Sequence, residues 1–231
     1  MRLRLDDFPK IGRPERPGEP SLPVQQTIRP ARLEDAALAA DLIHLSMGVE
    51  IDWLFGQEPG YPTHAVLQQL YRRKNNRLSH NFAYLTAWEG QAIGLLLAYP
   101  GRLLQRLDWL TGLHLLQIFG LGGTVRVGRR ISAYGDLVET EVDEFYISNL
   151  AVLPGYQGRG AGKALMDYAE TLALRAGLQK CSLIVTYGHT PARRLYEKLG
   201  YEIVCKYDIL HPEVADGTGG YYRMVKVLSN A

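Results

Sequence analysis

Four glycines in eight residues, Gly155, Gly158, Gly160 and Gly162, stand between an apolar run ending at Val152 and an amphipathic segment opening at Ala161. Glycine reaches backbone angles closed to other residues and lets a ligand come close to the main chain. At a helix start the first N–H groups lack partners and the helix dipole adds positive potential, so the chemistry expected is phosphate or pyrophosphate binding. A second grouping lies just upstream, where Glu139, Glu141, Asp143 and Glu144 crowd the entry to the apolar run. Such a cluster would attract a cationic substrate, and strand alternation puts Glu144 on the face of Tyr146 and Ser148.

The spacing of the loop separates three kinds of phosphate site. A P-loop needs four residues between its first glycine and a Gly-Lys pair, then Ser or Thr for magnesium; Gly158 precedes Gly162-Lys163 by three residues and Ala164 follows. A dinucleotide fingerprint needs Gly-x-Gly-x-x-Gly and an acidic residue ending the next strand. Here the loop reads Gly158-Arg159-Gly160-Ala161-Gly162 and the next strand ends Val-Thr-Tyr, a weak match. The P-loop fails on spacing and chemistry, and a nucleotide-binding protein is the weakest of the readings left open.

The elements that must hold this loop can be read from periodicity. Asp143 to Val152 is the strand that delivers it and Ala161 to Ala176 the helix that leaves it, with Ala161, Leu165, Tyr168, Leu172 and Ala176 on one face and Gly177 as its stop. Cys181 to Tyr187 is a buried strand. Thr190 and Pro191 then start a helix that carries Ala192, Leu195, Tyr196 and Leu199 on one face and ends at Gly200. Upstream, Gln26 to Arg29 is a strand, followed by a helix with Leu38, Leu42, Leu45 and Val49 at helical spacing, and Thr63 to Asn75 is another through Val66, Leu67, Leu70 and Tyr71. Arg72, Arg73, Lys74 and Arg77 read as a solvated basic face.

Phe82 to Trp88 and Gln91 to Tyr99 form a hairpin across Glu89-Gly90, and the second run is apolar on both faces, as a central strand would be. Pro100 to Glu139 is an insert whose leucines predict one or two short helices broken at Gly112, Gly120, Gly122 and Gly123. Tyr201 to Tyr207 and Tyr221 to Leu228 close the chain as strands, joined by a Gly-rich loop from His211 to Gly220. The expected fold is α/β with a mixed sheet: a Pro-rich tail over 1–25 and a single domain over 26–231 with an insert at about 100–139.

Composition narrows the class further. The chain has 231 residues, 46% of them hydrophobic and 22% charged, and a net charge of +2. That is an ordinary globular composition, without the concentrated basic character that nucleic acid calls for. Cys181 and Cys205 cannot build a disulfide framework and have no neighbour at metal spacing, so core positions in a reducing cytoplasm are expected and no metal. The first 20 residues lack the apolar core of a secretory signal, and no run approaches a membrane span, so no membrane partner is expected.

The residues from Gln157 to Gly162 and from Ala192 to Val204 resemble the GNAT family of acetyl-CoA-dependent N-acetyltransferases. The family's pyrophosphate loop, Gln/Arg-x-x-Gly-x-Gly/Ala, is met by Gln157, Gly160 and Gly162 directly after the strand ending NLAV, and ARRLYEKLGYEIV looks like its LYEKLGF segment. IRPARLEDA near Ile28 and YYRMVKVL near the end resemble its first and last strands. The tail and the insert lie outside the likeness.

The resemblance implies a mostly antiparallel central sheet flanked by helices, with a splayed central strand pair that holds the pantetheine arm. It implies that the strand backbone at Leu150, Ala151 and Val152 binds the thioester and pantetheine. The N–H groups from Gln157 through Gly158, Arg159, Gly160, Ala161 and Gly162 to Lys163 would bind the pyrophosphate. His189 stands where the family commonly has Asn, as a further cofactor contact. Tyr196 becomes the acid that protonates the thiolate, and Glu144 the base for an ammonium. The implied activity is direct transfer of acetyl from acetyl-CoA to a primary amine of a small molecule or peptide; a homodimer is compatible with it. The alternative on the same fold is a non-catalytic acyl-CoA-binding regulatory module.

Overall fold

The computed structural model describes residues 26–209, 211 and 217–229. The tail expected over 1–25 and most of the loop after His211 lie outside the described residues.

The apolar runs become seven strands in one sheet, ordered β1-β2-β3-β4-β5-β7-β6. They are β1 (Gln26–Pro30), β2 (Ala83–Trp88), β3 (Gln91–Pro100), β4 (Phe145–Val152), β5 (Lys180–Thr186), β6 (Glu202–Asp208) and β7 (Gly220–Val227). Every pairing is antiparallel except β4 with β5. Along β3, Leu95, Leu97 and Tyr99 face one layer of the core and Ile93, Leu96 and Ala98 the other, the two-sided burial expected of a central strand.

Helices cover both faces. On one lie α1 (Ala36–Met47), α2 (Val49–Phe55), α3 (Thr63–Arg72) and α4 (Leu104–Ile131). On the other are α5 (Ala161–Arg175) and α6 (Thr190–Lys198), whose Leu165, Met166, Ala169 and Tyr196 join the second core layer.

Three expectations about the first layer need correction. The buried stripe of α1 is Ala36, Ala39, Ala40, Leu42 and Ile43, whereas Leu45 and Val49 are exposed. Small alanines let the helix lie close to α3 and β4, and that close approach sets the phase over the larger leucines. The helix also stops at Gly48, whose φ of 60° separates α1 from α2. The insert forms two helical segments within α4, as its leucines suggested, but only Gly120, where φ is 66° and ψ -177°, interrupts them; Gly112, Gly122 and Gly123 do not break the helix as expected and are carried inside it. Packing against α2 and α3 outweighs the roughly 1 kcal/mol that each helical glycine costs.

Arg77 is the third. It is no solvated cation: its guanidinium pairs with Glu139 and, at 3.3 Å, with Asp108 of α4.

Candidate active site

The strand before the glycine loop and the strand after α5 part company almost at once. β4 and β5 pair only at Phe145↔Cys181 and Tyr146↔Ser182, and from Ile147 onward they have no mutual ladder. An unpaired stretch in the middle of a sheet leaves backbone N–H and C=O groups that a ligand can satisfy. The predicted splayed pair is therefore present, with Leu150, Ala151 and Val152 on its β4 edge.

A bulge sets the aim of that edge. Opposite β3 the register shifts between Leu97 and Ala98, which pair with Asn149 and Ile147 and leave Ser148 without a partner. The extra residue resets the alternation expected from sequence, so that Asn149 reaches the α1 side and donates to Ser46 Oγ at 2.9 Å. That bond ties the end of α1 to the parting strands.

At the loop itself, Gly158 and Gly160 take φ of 75° and 88°, in the left-handed region, and no protein atom lies within 4 Å of where a Cβ would stand on either. Gly155 and Gly162 do not have positive φ; Gly162 instead sits in the first turn of α5, where a Cβ would lie 3.4 Å from Leu195. Gly160 is the N-cap of α5 and supplies no side-chain cap, so the turn containing Ala161, Gly162 and Lys163 offers its N–H groups outward. The Gln157 side chain turns back to donate to the Val152 carbonyl at 3.0 Å, bracing the loop on the strand. Arg159 stacks over Tyr156, and Lys163 pairs with Asp167 at 2.6 Å in solvent.

Tyr196 is the buried residue of α6, the helix that follows β5. Its ring belongs to the second core layer, which also contains Val152 and Ala161, and lies 6.2 Å from the Tyr201 ring. Its hydroxyl has no hydrogen-bond partner among the described residues and is not sealed from solvent. Burial pushes that hydroxyl up to about 12. His189 is the N-cap of α6, one residue before the start expected from sequence, and its Nδ1 accepts from Ala192 N–H at 3.3 Å. Its ring does for the helix what an Asn would do, which leaves Nε2 as the ring atom open to a ligand.

Glu144 is not placed to act as a base. Its carboxylate is 4% exposed, accepts from the Arg223 guanidinium at 2.6 Å, from the Glu141 N–H at 2.8 Å and from the Thr140 hydroxyl at 3.2 Å. Burial pushes it upward, but the Glu141 N–H and Arg223 outweigh this and hold it below the ordinary carboxylate range. A carboxylate so satisfied resists protonation, and the base expected at this position is withdrawn. Two more of the cluster are spent in the same way, Glu139 on Arg77 and Tyr146, and Asp143 on Lys180 at 2.8 Å, while the exposed Glu141 carboxylate has no partner among the described residues.

A buried carboxylate that no motif marks is Glu50. It lies with Ile51, Leu54 and Phe55 on the buried side of α2, and an acid on that face was the one signal in the sequence. Tyr134, just after α4, and Tyr221 of β7 both donate to it, the latter at 2.5 Å. Tyr134 also lines a cleft of about 720 Å³ with Ala133, Leu137, Tyr207, Ile209 and His211. The His211 ring packs on Trp53 at 4.7 Å.

The family model described as the acetyltransferase (GNAT) family matches residues 49–201, which span the insert, the splayed strands, the glycine loop and Tyr196. The chain belongs to that family. Among curated GNAT-type proteins, an uncharacterized N-acetyltransferase of Mycobacterium tuberculosis is 35% identical over 80 residues, 35% of this chain and 51% of that protein. A ribosomal protein bS18 alanine N-acetyltransferase of Haemophilus influenzae is 38% identical over 68 residues, 29% of this chain and 46% of that protein. The chain thus spans about half the length of the curated relatives it matches. An N-acetyltransferase crystal structure from Staphylococcus aureus superposes with a TM-score of 0.63 at 20% identity, covering 87% of this chain and all of that one. At that identity the likeness establishes the GNAT fold.

Proposed function

We propose that the protein is an N-acetyltransferase that moves the acetyl group of acetyl-CoA to a primary amine of a small molecule or peptide. One observation carries this: the strands part beside an outward-facing N–H turn at the start of α5, and the Tyr196 hydroxyl on α6 has no hydrogen-bond partner among the described residues. The open space at Gly158 and Gly160 fits a pyrophosphate, and the free ladder of β4 fits the amide-rich arm that follows it. When bound, acetyl-CoA supplies a thioester that an amine attacks and a thiolate that leaves.

The chain's own groups divide the remaining tasks. Backbone N–H donors at Leu150 and Val152, which alternate away from β3, stabilise negative charge developing on the acyl oxygen, while the Ala151 N–H faces β3. Tyr196 donates its hydrogen bond to the departing sulfur. Full proton transfer from a hydroxyl at about 12 to a thiolate of ordinary value about 8.5 is uphill by roughly 5 kcal/mol. The same burial also destabilises the thiolate, which narrows the gap and favours donation within the transition state over a separate step. An alkylammonium of pKa about 10.4 costs roughly 4.6 kcal/mol to deprotonate at pH 7, so the amine meets its base through water or on arrival in the aromatic cleft.

That cleft, with Glu50 behind its wall, is the acceptor entrance in this reading. Cys181 and Cys205 are free thiols, in keeping with a reducing cytoplasm. The test is thiol release from acetyl-CoA across a panel of amines and N-terminal peptides, paired with calorimetry of CoA. Binding with turnover supports the proposal; CoA binding without release on any acceptor points to a regulatory module, and no CoA binding removes the site.

A further inference from the structure

Among its polar residues, α4 exposes a row of large apolar side chains to solvent. Trp109, Leu113 and Leu116 follow one another at helical spacing on the first half, and Leu121 and Val125 on the second, beyond the break at Gly120. Trp109 is 68% and Leu121 73% exposed. The opposite face is apolar as well, with Leu107, Leu115, Ile118 and Val127 buried against the first core layer. Each half of the helix thus has an exposed apolar stripe besides its buried one, and exposed apolar residues of that size call for a second apolar phase; they run from Trp109 to Val125 on either side of the break.

Charge identifies that phase. Between Gly101 and Gly135 the sequence has five arginines and one acid, Asp108, which pairs with Arg77. Arg126 and Arg130 grip the buried Glu58 and fasten the helix to the fold. Arg102, Arg106 and Arg129 are exposed and have no carboxylate partner among the described residues. Arg102 and Arg106 share the face of Trp109 and Leu113, and Arg129 that of Leu121 and Val125, so cations stand at both ends of the stripe.

We propose that this face seats the protein on an anionic membrane surface, with Trp109, Leu113, Leu116, Leu121 and Val125 at the acyl boundary and the arginines among the headgroups. Tryptophan, leucine and arginine in this arrangement are what an interfacial helix uses. No helix among the described residues is long and apolar enough to cross a membrane, so the contact is peripheral. A second copy fits less well: a twofold interface sets the stripe against itself, and with arginines at both ends either direction brings cation against cation.

The experiment is co-sedimentation of the full chain with vesicles of phosphatidylcholine alone or mixed equally with phosphatidylglycerol, at low and high salt, with sedimentation equilibrium in parallel. The wild type is expected to pellet with the anionic vesicles, less so in high salt, with a blue shift of tryptophan emission. The double variant Arg106→Ala/Arg129→Ala should weaken binding roughly 30-fold. Leu113→Glu/Leu121→Glu should abolish it while the melting curve and CoA affinity stay as in the wild type. Wild type left in the supernatant with both vesicles, binding indifferent to the four substitutions, or a stripe-dependent dimer without vesicle binding would each overturn the proposal.

Discussion

The glycine loop and the acidic approach to β4 lie within 25 residues of each other, and both looked like chemistry in the sequence. Only the loop remained available for it. Its working parts are backbone N–H groups fixed by Gly158 and Gly160, and what supplies them, a strand end and a helix start, is local in the chain. The acidic residues depend on who stands opposite, and the fold brings Arg77, Lys180 and Arg223 from elements far along the chain to neutralise Glu139, Asp143 and Glu144. Main-chain chemistry can be read from neighbours in sequence; side-chain charge can be read only once its partners are known.

Glu144 gives the largest expected effect and the sharpest way to break this contrast. Glu144→Ala leaves Arg223 buried without its counterion and should cost about 3–5 kcal/mol of stability in urea unfolding, with the protein that remains folded still turning over. Because its folded-state pKa is depressed, the contribution is complete above the ordinary carboxylate value and is lost as pH falls through the depressed one. Glu144→Gln should therefore flatten the acid limb of the stability curve. Lost turnover with unchanged stability would return Glu144 to the mechanism.

Gly160→Val tests the other side. It places a branched side chain at φ 88° in the space left for phosphate, and calorimetry should show acetyl-CoA affinity reduced by about 100-fold or more. Wild-type affinity would show that the loop holds no anion. The smallest effect is expected from Tyr196→Phe, which removes one hydroxyl without a hydrogen-bond partner among the described residues: kcat should fall roughly 10- to 100-fold while the acetyl-CoA Kd changes less than about twofold. An unchanged kcat would confine Tyr196 to the core, and a Kd change as large as the kcat change would make it a binding residue.

The candidate site was about half legible in advance. The strand–loop–helix unit, Tyr196 one strand and one helix later, and the parting of β4 from β5 follow from spacing and from the family likeness. Glu50 was not legible, because Tyr134 and Tyr221, which define its surroundings, lie 84 and 171 residues away. The bulge at Ser148 was hidden because an apolar run does not disclose where its ladder slips, and the slip moves Asn149 to the α1 side. In α1 the leucine spacing was real, yet the alanines won the buried face because close helix–sheet packing rewards small side chains.

By itself, then, the sequence determined the order of strands and helices, the glycine turn at the start of α5 and the place of Tyr196 on the helix one strand later. Periodicity, caps and backbone angles are set within a few residues, so they survive reading in one dimension. The tertiary structure alone decided which carboxylates are consumed in ion pairs, where the cleft beside Tyr134 and His211 opens, and that the insert's two helical segments meet at Gly120 and expose large apolar side chains. Those outcomes depend on burial and on charges from distant segments, and a linear pattern has no record of either.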